Sequence, residues 1–152
     1  MKRSRSALVV AATPSLAMKL CNWLKLSGWH VVTACSYQSA KARLEHRTDL
    51  LVTELELGDY NGLQLALRAQ GYNVPAIVVG RHDDVLERDA EQLGSTYLRK
   101  SELDQERLLV AIEVKLDAQR HATPFVCRDL EFVRRPWAAL RLSTVARRML
   151  LH

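Results

Sequence analysis

The chain has 152 residues, 48% apolar and 26% charged, with a formal net charge of +5. That is enough apolar material for one well-buried domain, and it excludes a wholly disordered chain. Cys21, Cys35 and Cys127 are far apart with no CxxC pair, so neither a disulfide framework nor a zinc knuckle is indicated, and a reducing cytoplasm fits best. No apolar run reaches the roughly 18 to 20 residues of a membrane span. The start with Lys2, Arg3 and Arg5 lacks the apolar stretch of a signal peptide. A soluble, cytoplasmic protein without membrane contact is expected.

Residues 7–12 (ALVVAA) form a continuous apolar run of strand length, the pattern of a parallel strand buried on both faces. Thr13 and Pro14 follow as an N-cap and first helical residue. Leu16, Leu20, Trp23 and Leu24 then mark one helical face that ends near Ser27 and Gly28. The unit repeats, with a strand over 29–34, a helix over 36–45 and a third strand over 49–54. Gly58, Asn61 and Gly62 break the chain there. A short helix over 63–70, a strand over 76–79, a helix over 83–93, a brief strand over 96–98 and a helix over 103–116 complete the series. Five strands alternating with five helices predict an α/β fold, a doubly wound (βα)5 five-stranded parallel sheet with right-handed crossovers.

Beyond residue 116 the texture changes. Residues 117–124 (DAQRHATP) read as a polar linker, and 125–152 as a C-terminal extension containing Phe125, Phe132, Trp137 and Leu140. Charge divides at the same place. Residues 1–114 hold 14 basic and 14 acidic side chains, and 115–152 hold 8 against 3, so the whole excess lies in the tail. A basic tail suits nucleic acid or an acidic partner, and a solvated surface equally well.

The carboxylate of Glu54 sits at the end of the third strand, where open α/β sheets place ligands or chemistry. No HxxxH or HExxH spacing links His30, His46, His82, His121 and His152, so no metal site is expected from them. The glycines form neither a P-loop nor a GxGxxG turn, and no GxSxG motif or Cys with a local nucleophile signature appears. An enzyme is not expected, and no cofactor is implied.

Taken together, LVVAATP after the first strand, DLLVTEL with GDYNG at the third, VPAIVVG at the fourth and LGSTYLRK at the fifth resemble the receiver domain of bacterial two-component response regulators. The resemblance covers residues 7–116 and implies the flavodoxin-like receiver fold. A receiver accepts a phosphoryl group on an aspartate at the third strand, with Mg²⁺ held by that aspartate and an acidic pair after the first. Here the matching positions carry Glu54 for the acceptor and Ala11 and Ala12 for the pair. Two methyl groups cannot ligate a hard cation, and a glutamate displaces the nucleophile by about 1.5 Å. Gly80 replaces the hydroxyl residue of the fourth strand, while Lys100 and the aromatic switch position Tyr97 remain.

The resemblance therefore implies a degenerate receiver, with Glu54 either paired to Lys100 or solvated at the strand end. Its expected role is an atypical, phosphorylation-independent response regulator that works through protein contacts and is linked to transcription. The contact face implied is that of the fourth helix, fifth strand and fifth helix, with Arg88, Asp89, Arg107 and Glu113 as charged contacts for a protein partner or homodimer. Thr96 and Ala111 stand where the family's dimer often has an acid and an arginine. The alternatives are a residual phospho-acceptor or small-anion site built from Glu54, His82 and Lys100, with Arg81 on the same loop, or an adaptor without a DNA-related role. Residues 140–151 (LRLSTVARRMLL) resemble the lead-in to the first helix of OmpR-type winged-helix domains, so DNA contact is expected only if such a domain follows.

Overall fold

The computed structural model describes residues 4–58 and 60–121. The expected extension over 125–152, including the 140–151 segment, lies outside the described residues. In chain order the elements are β1 (Ser6–Val10), α1 (Pro14–Leu26), β2 (His30–Ala34), α2 (Tyr37–Leu44) and β3 (Leu50–Glu54). A two-stranded hairpin follows, β4 (Glu56–Leu57) and β5 (Tyr60–Asn61), then α3 (Gly62–Gly71), β6 (Ala76–Gly80), α4 (Asp84–Gln92), β7 (Thr96–Arg99) and α5 (Gln105–His121). The five long strands are all parallel and ordered β2-β1-β3-β6-β7, which is the flavodoxin-like receiver fold.

The expected strands form because their apolar runs are buried on both faces. β3 and β6 are buried at every position, and β1 at four of five. Side chains alternate across a strand, so each strand feeds two cores. Val9, Leu50, Val52, Ile77 and Val79 pack with Leu16, Leu20 and Leu24 of α1 and Leu108 and Ile112 of α5. Leu8, Val10, Leu51, Leu55 and Val78 pack on the other face with α2, α3 and α4. This period of two sets the direction of Glu54. It follows Leu50 and Val52 onto the α1–α5 side, while Leu51 and Leu55 face α3.

β2 and β3 lie on opposite sides of β1, so a crevice opens at the carboxyl ends of β1 and β3, the switch point where ligands bind in such sheets. Polar caps fix the helix starts around it. Asn61 and Gln64 form a capping box on α3, Ser36 caps α2, and Asp83 accepts from the amides of Val85 and Leu86 on α4.

Two boundaries differ from the sequence reading. Asp104 accepts from the amide of Arg107 at 2.8 Å, which starts the last helix at Gln105, preceded by a 3-10 turn over Lys100–Glu102. At its other end α5 continues to His121, so residues 117–121, expected as linker, are helical. Ala118, Gln119 and Arg120 are good helix formers and no glycine or proline interrupts them. The β4–β5 hairpin was not anticipated because strands of two residues are too short to carry a periodicity.

Gly62 opens α3 directly over the end of β3, and its amide donates to Leu55 O at 2.7 Å. A Cβ at Gly62 would lie 2.4 Å from the backbone oxygen of Glu54 and 3.1 Å from Thr53 Cγ2. Gly62→Ala is expected to destabilise the domain by about 1–3 kcal/mol, measured by urea unfolding. Unchanged stability would contradict this close approach.

Candidate functional site

Glu54 has only 2% of its surface exposed, and both carboxylate oxygens are engaged. Oε2 accepts from the backbone amides of Ala12 at 2.9 Å and Thr13 at 3.0 Å. Oε1 accepts from the Thr13 hydroxyl at 2.9 Å and from Lys100 Nζ at 2.5 Å. The sequence alone left Glu54 either paired with Lys100 or solvated, and the geometry shows the pair and the burial together. Thr13 adds two donors beyond the N-cap role that the sequence predicts for it. It does occupy that position, but its side chain makes no capping bond within the helix. Its hydroxyl turns to Glu54 instead. The carboxylate thus lies against the amides that lead into α1, the electropositive end of a helix.

Removing a carboxylate from water costs several kcal/mol. Each hydrogen bond to a charged group returns about 1.5–3 kcal/mol, so four donors offset the penalty. The proton equilibrium carries the same balance. Burial alone raises the Glu54 pKa, but hydrogen bonds from Lys100 and from the amide and hydroxyl of Thr13 outweigh it and hold the carboxyl below its usual range.

The arrangement does not fit Mg²⁺. Ala11 and Ala12 contribute methyl groups, Ala11 being buried and Ala12 exposed. Glu54 is the carboxylate at this strand end, and both its oxygens already face donors. A hard cation needs several oxygen ligands free to turn toward it, and a lysine ammonium 2.5 Å from Oε1 takes the place of one.

Gly80 is not simply a missing hydroxyl. A Cβ there would lie 2.4 Å from the Tyr97 hydroxyl and 2.8 Å from Leu55 Cβ. The ring of Tyr97 points inward over Gly80, and its hydroxyl donates to Arg81 O at 2.5 Å. Burial, together with the carboxylates of Glu87 and Asp83, pushes the Tyr97 pKa up to about 12, so the phenol remains a donor near neutral pH. The absence of a side chain at residue 80 is what makes room for this inward ring.

Arg81 and His82, expected over Glu54, pair elsewhere. The Arg81 guanidinium lies 3.6 Å from Glu56, and His82 lies 3.3 Å from Glu87 and 3.8 Å from Asp84. The anion site imagined from Glu54, His82 and Lys100 is therefore assembled only in its Glu54–Lys100 part. Among the described residues, His82, Asp84 and Glu87 form a cluster with ligand atoms within 4.8 Å of one another. Arg99 already sits in that cluster, 2.7 Å from Glu87 and 3.8 Å from Asp84, and its hydrogen bonds hold the Glu87 carboxyl below its ordinary pKa.

Of the contact residues expected on the fourth and fifth helices, Arg88, Arg107 and Glu113 are exposed. Asp89 is not available there, with 2% of its surface exposed. Leu86, Asp89, Ala90 and Leu93 fall at i, i+3, i+4 and i+7, so Asp89 shares the inward face of α4. Arg107 lines a cleft with Tyr97 and Arg99, whereas Glu113 lines a separate groove with Leu109 and Val110.

No protein-family model and no curated protein matches the sequence. Solved structures do. A CheY-like response regulator receiver domain protein from Methanospirillum hungatei JF-1 superposes with a TM-score of 0.70 at 21% identity, covering 78% of this chain and 98% of that one. The signal receiver domain of an HD domain-containing protein from Pseudomonas fluorescens Pf-5 gives 0.69 at 21%, covering 79% and 100%. A two-component response regulator from Clostridium difficile gives 0.68 at 21%, covering 75% and 97%. At this identity the likeness establishes the receiver fold. No helix among the described residues is long and apolar enough to cross a membrane.

Two outcomes follow from the site. A carboxylate with a lowered folded pKa contributes stability that is present above the unfolded-chain value and lost as pH falls through the folded value. Lys100→Met is accordingly expected to cost about 1.5–3 kcal/mol near neutral pH, and urea unfolding at successively lower pH should show that cost shrinking as Glu54 protonates. A pH-independent cost would contradict the pairing. Gly80→Ala is expected to destabilise by about 1–3 kcal/mol, and by less in a Tyr97→Leu background, where the hydroxyl no longer competes for the space. Equal penalties in the two backgrounds would show that residues 80 and 97 do not contend for one volume.

Proposed function

We propose that this chain is an atypical response-regulator module whose output does not depend on phosphorylation and which acts through protein contacts, without enzymatic activity. The observation that carries the reading is the state of Glu54. Its carboxylate is buried and held by four donors at the strand end where a receiver would bind metal and phosphate. In phosphoryl transfer the protein supplies positioning and charge neutralisation. A nucleophile whose oxygens are both hydrogen-bonded, beside Ala11 and Ala12 instead of metal ligands, has neither.

Glu54 paired to Lys100 is a partial and permanent stand-in for a modified aspartate. A carboxylate supplies one negative charge, where a phosphoryl group adds about −1.5 to −2 and three acceptor oxygens. The inward Tyr97 is consistent with the same reading, its hydroxyl bonded to Arg81 O and its ring seated over Gly80. The surface between α4 and α5, with Arg88 and Arg107 exposed, is the proposed contact face for a protein partner or a second copy. The cytoplasm is the proposed location. The link to transcription rests on the resemblance of residues 140–151 to a winged-helix lead-in.

Incubation with Mg²⁺ and an acyl phosphate, followed by intact mass and sedimentation velocity, tests this. The expected result is no phosphoryl adduct and an unchanged oligomeric state. An adduct on Glu54 that alters the assembly would overturn it.

A further inference from the structure

Two large apolar side chains stand out on the outer side of α5, Val110 with 56% of its surface exposed and Val114 with 63%. Val110 and Leu109 share an open, shallow groove along the face of α5 with Asp104, Glu106 and Glu113. This groove shares no residue with the cleft lined by Tyr97, Arg99 and Arg107. α5 belongs to the layer it forms with α1, while α4 packs on the other face of the sheet. The groove is thus separate from that cleft, and it takes in Glu113, one of the residues expected on the contact face.

We propose that this groove is the docking site for the chain's own C-terminal segment, residues 125–152. Charge complementarity is the first support. The segment carries six arginines, Arg128, Arg134, Arg135, Arg141, Arg147 and Arg148, against two acids, Asp129 and Glu131. The groove presents the exposed carboxylates of Glu106 and Glu113, with Asp104 beside them already paired to Arg107. Composition is the second support, because Phe125, Phe132, Trp137 and Leu140 interleave with those arginines, as Leu109 and Val110 alternate with Glu106 and Glu113 on α5.

Reach is the third. Leu109 lies twelve helical residues before His121, about 18 Å at 1.5 Å per residue. Six or so extended residues span that distance, and the segment begins just after Pro124, which has no amide hydrogen for another helical turn. The contact is intramolecular, so the tether raises its effective concentration to about the millimolar range. An individually weak set of ion pairs and apolar contacts then suffices. It is independent of whether Glu54 accepts phosphate.

Limited trypsin digestion of the full chain, followed by mass spectrometry, tests the docking through the tail arginines. In wild type at low salt, cleavage after Arg128, Arg134, Arg135 and Arg141 is expected to be slow and to accelerate as salt is raised. Glu106→Gln with Glu113→Gln, and separately Val110→Asn, should each speed tail cleavage by about tenfold, because proteolysis follows the open population. Cleavage at Arg107 within α5 reports unfolding and is expected to stay slow in both variants. Tail cleavage at the wild-type rate in both variants would overturn the proposal. So would wild-type protection that grows with protein concentration, which would identify a second copy as the occupant.

Discussion

The arrangement of this domain turns on one buried carboxylate. Glu54 lies at the end of the central strand with its oxygens shared among two backbone amides, a hydroxyl and an ammonium. The donors come from two turns of the fold, three of them from the turn between β1 and α1 and one from the turn after β7. The amides of Ala12 and Thr13 are presented by the turn from β1 into α1, whose first position is Pro14. Lys100 is delivered by the turn that follows β7. Gly62 lets α3 close over the strand end without displacing the Glu54 backbone. A buried charge missing any of these groups would be costly, so the carboxylate and its donors specify one another.

Small residues at three nearby positions fit their surroundings for separate reasons. Ala11 and Ala12 place no acidic group beside Glu54 to repel it or compete for Lys100. Gly80 has no side chain to collide with the inward Tyr97 ring. The charge lies on the α1–α5 side, while on the other face of the sheet the Tyr97 ring is held over Gly80 by a hydrogen bond to Arg81 O.

Much of the fold was legible because its signals are continuous. The runs in β1, β3 and β6 are uninterrupted apolar stretches, and parallel strands buried on both faces produce that pattern. The apolar stripe of α1 was equally readable, although Cys21 takes part in the buried face and Trp23 is only half-buried. What escaped is what depends on three-dimensional neighbours. Asp89 reads as a surface charge, and the helical period that places it inward with Leu86 and Ala90 was present in the sequence but outweighed by its polarity. Thr13 reads as a cap because capping is local, whereas its hydroxyl finds a partner 41 residues away. The helical character of residues 117–121 was hidden by their polarity, which distinguishes exposed from buried better than helix from linker.

The central claim is that Glu54 is a charged, fully hydrogen-bonded carboxylate in the folded protein. Its most direct test is a pH titration of the Glu54 side-chain carboxyl by carbon-detected NMR, with the amide signals of Ala12 and Thr13 followed in the same samples. The Glu54 midpoint is expected below the ordinary glutamate value, with both amide signals moving at that same midpoint. A midpoint at or above the ordinary value, or amides that do not respond to it, would show that Glu54 is not held as a hydrogen-bonded carboxylate.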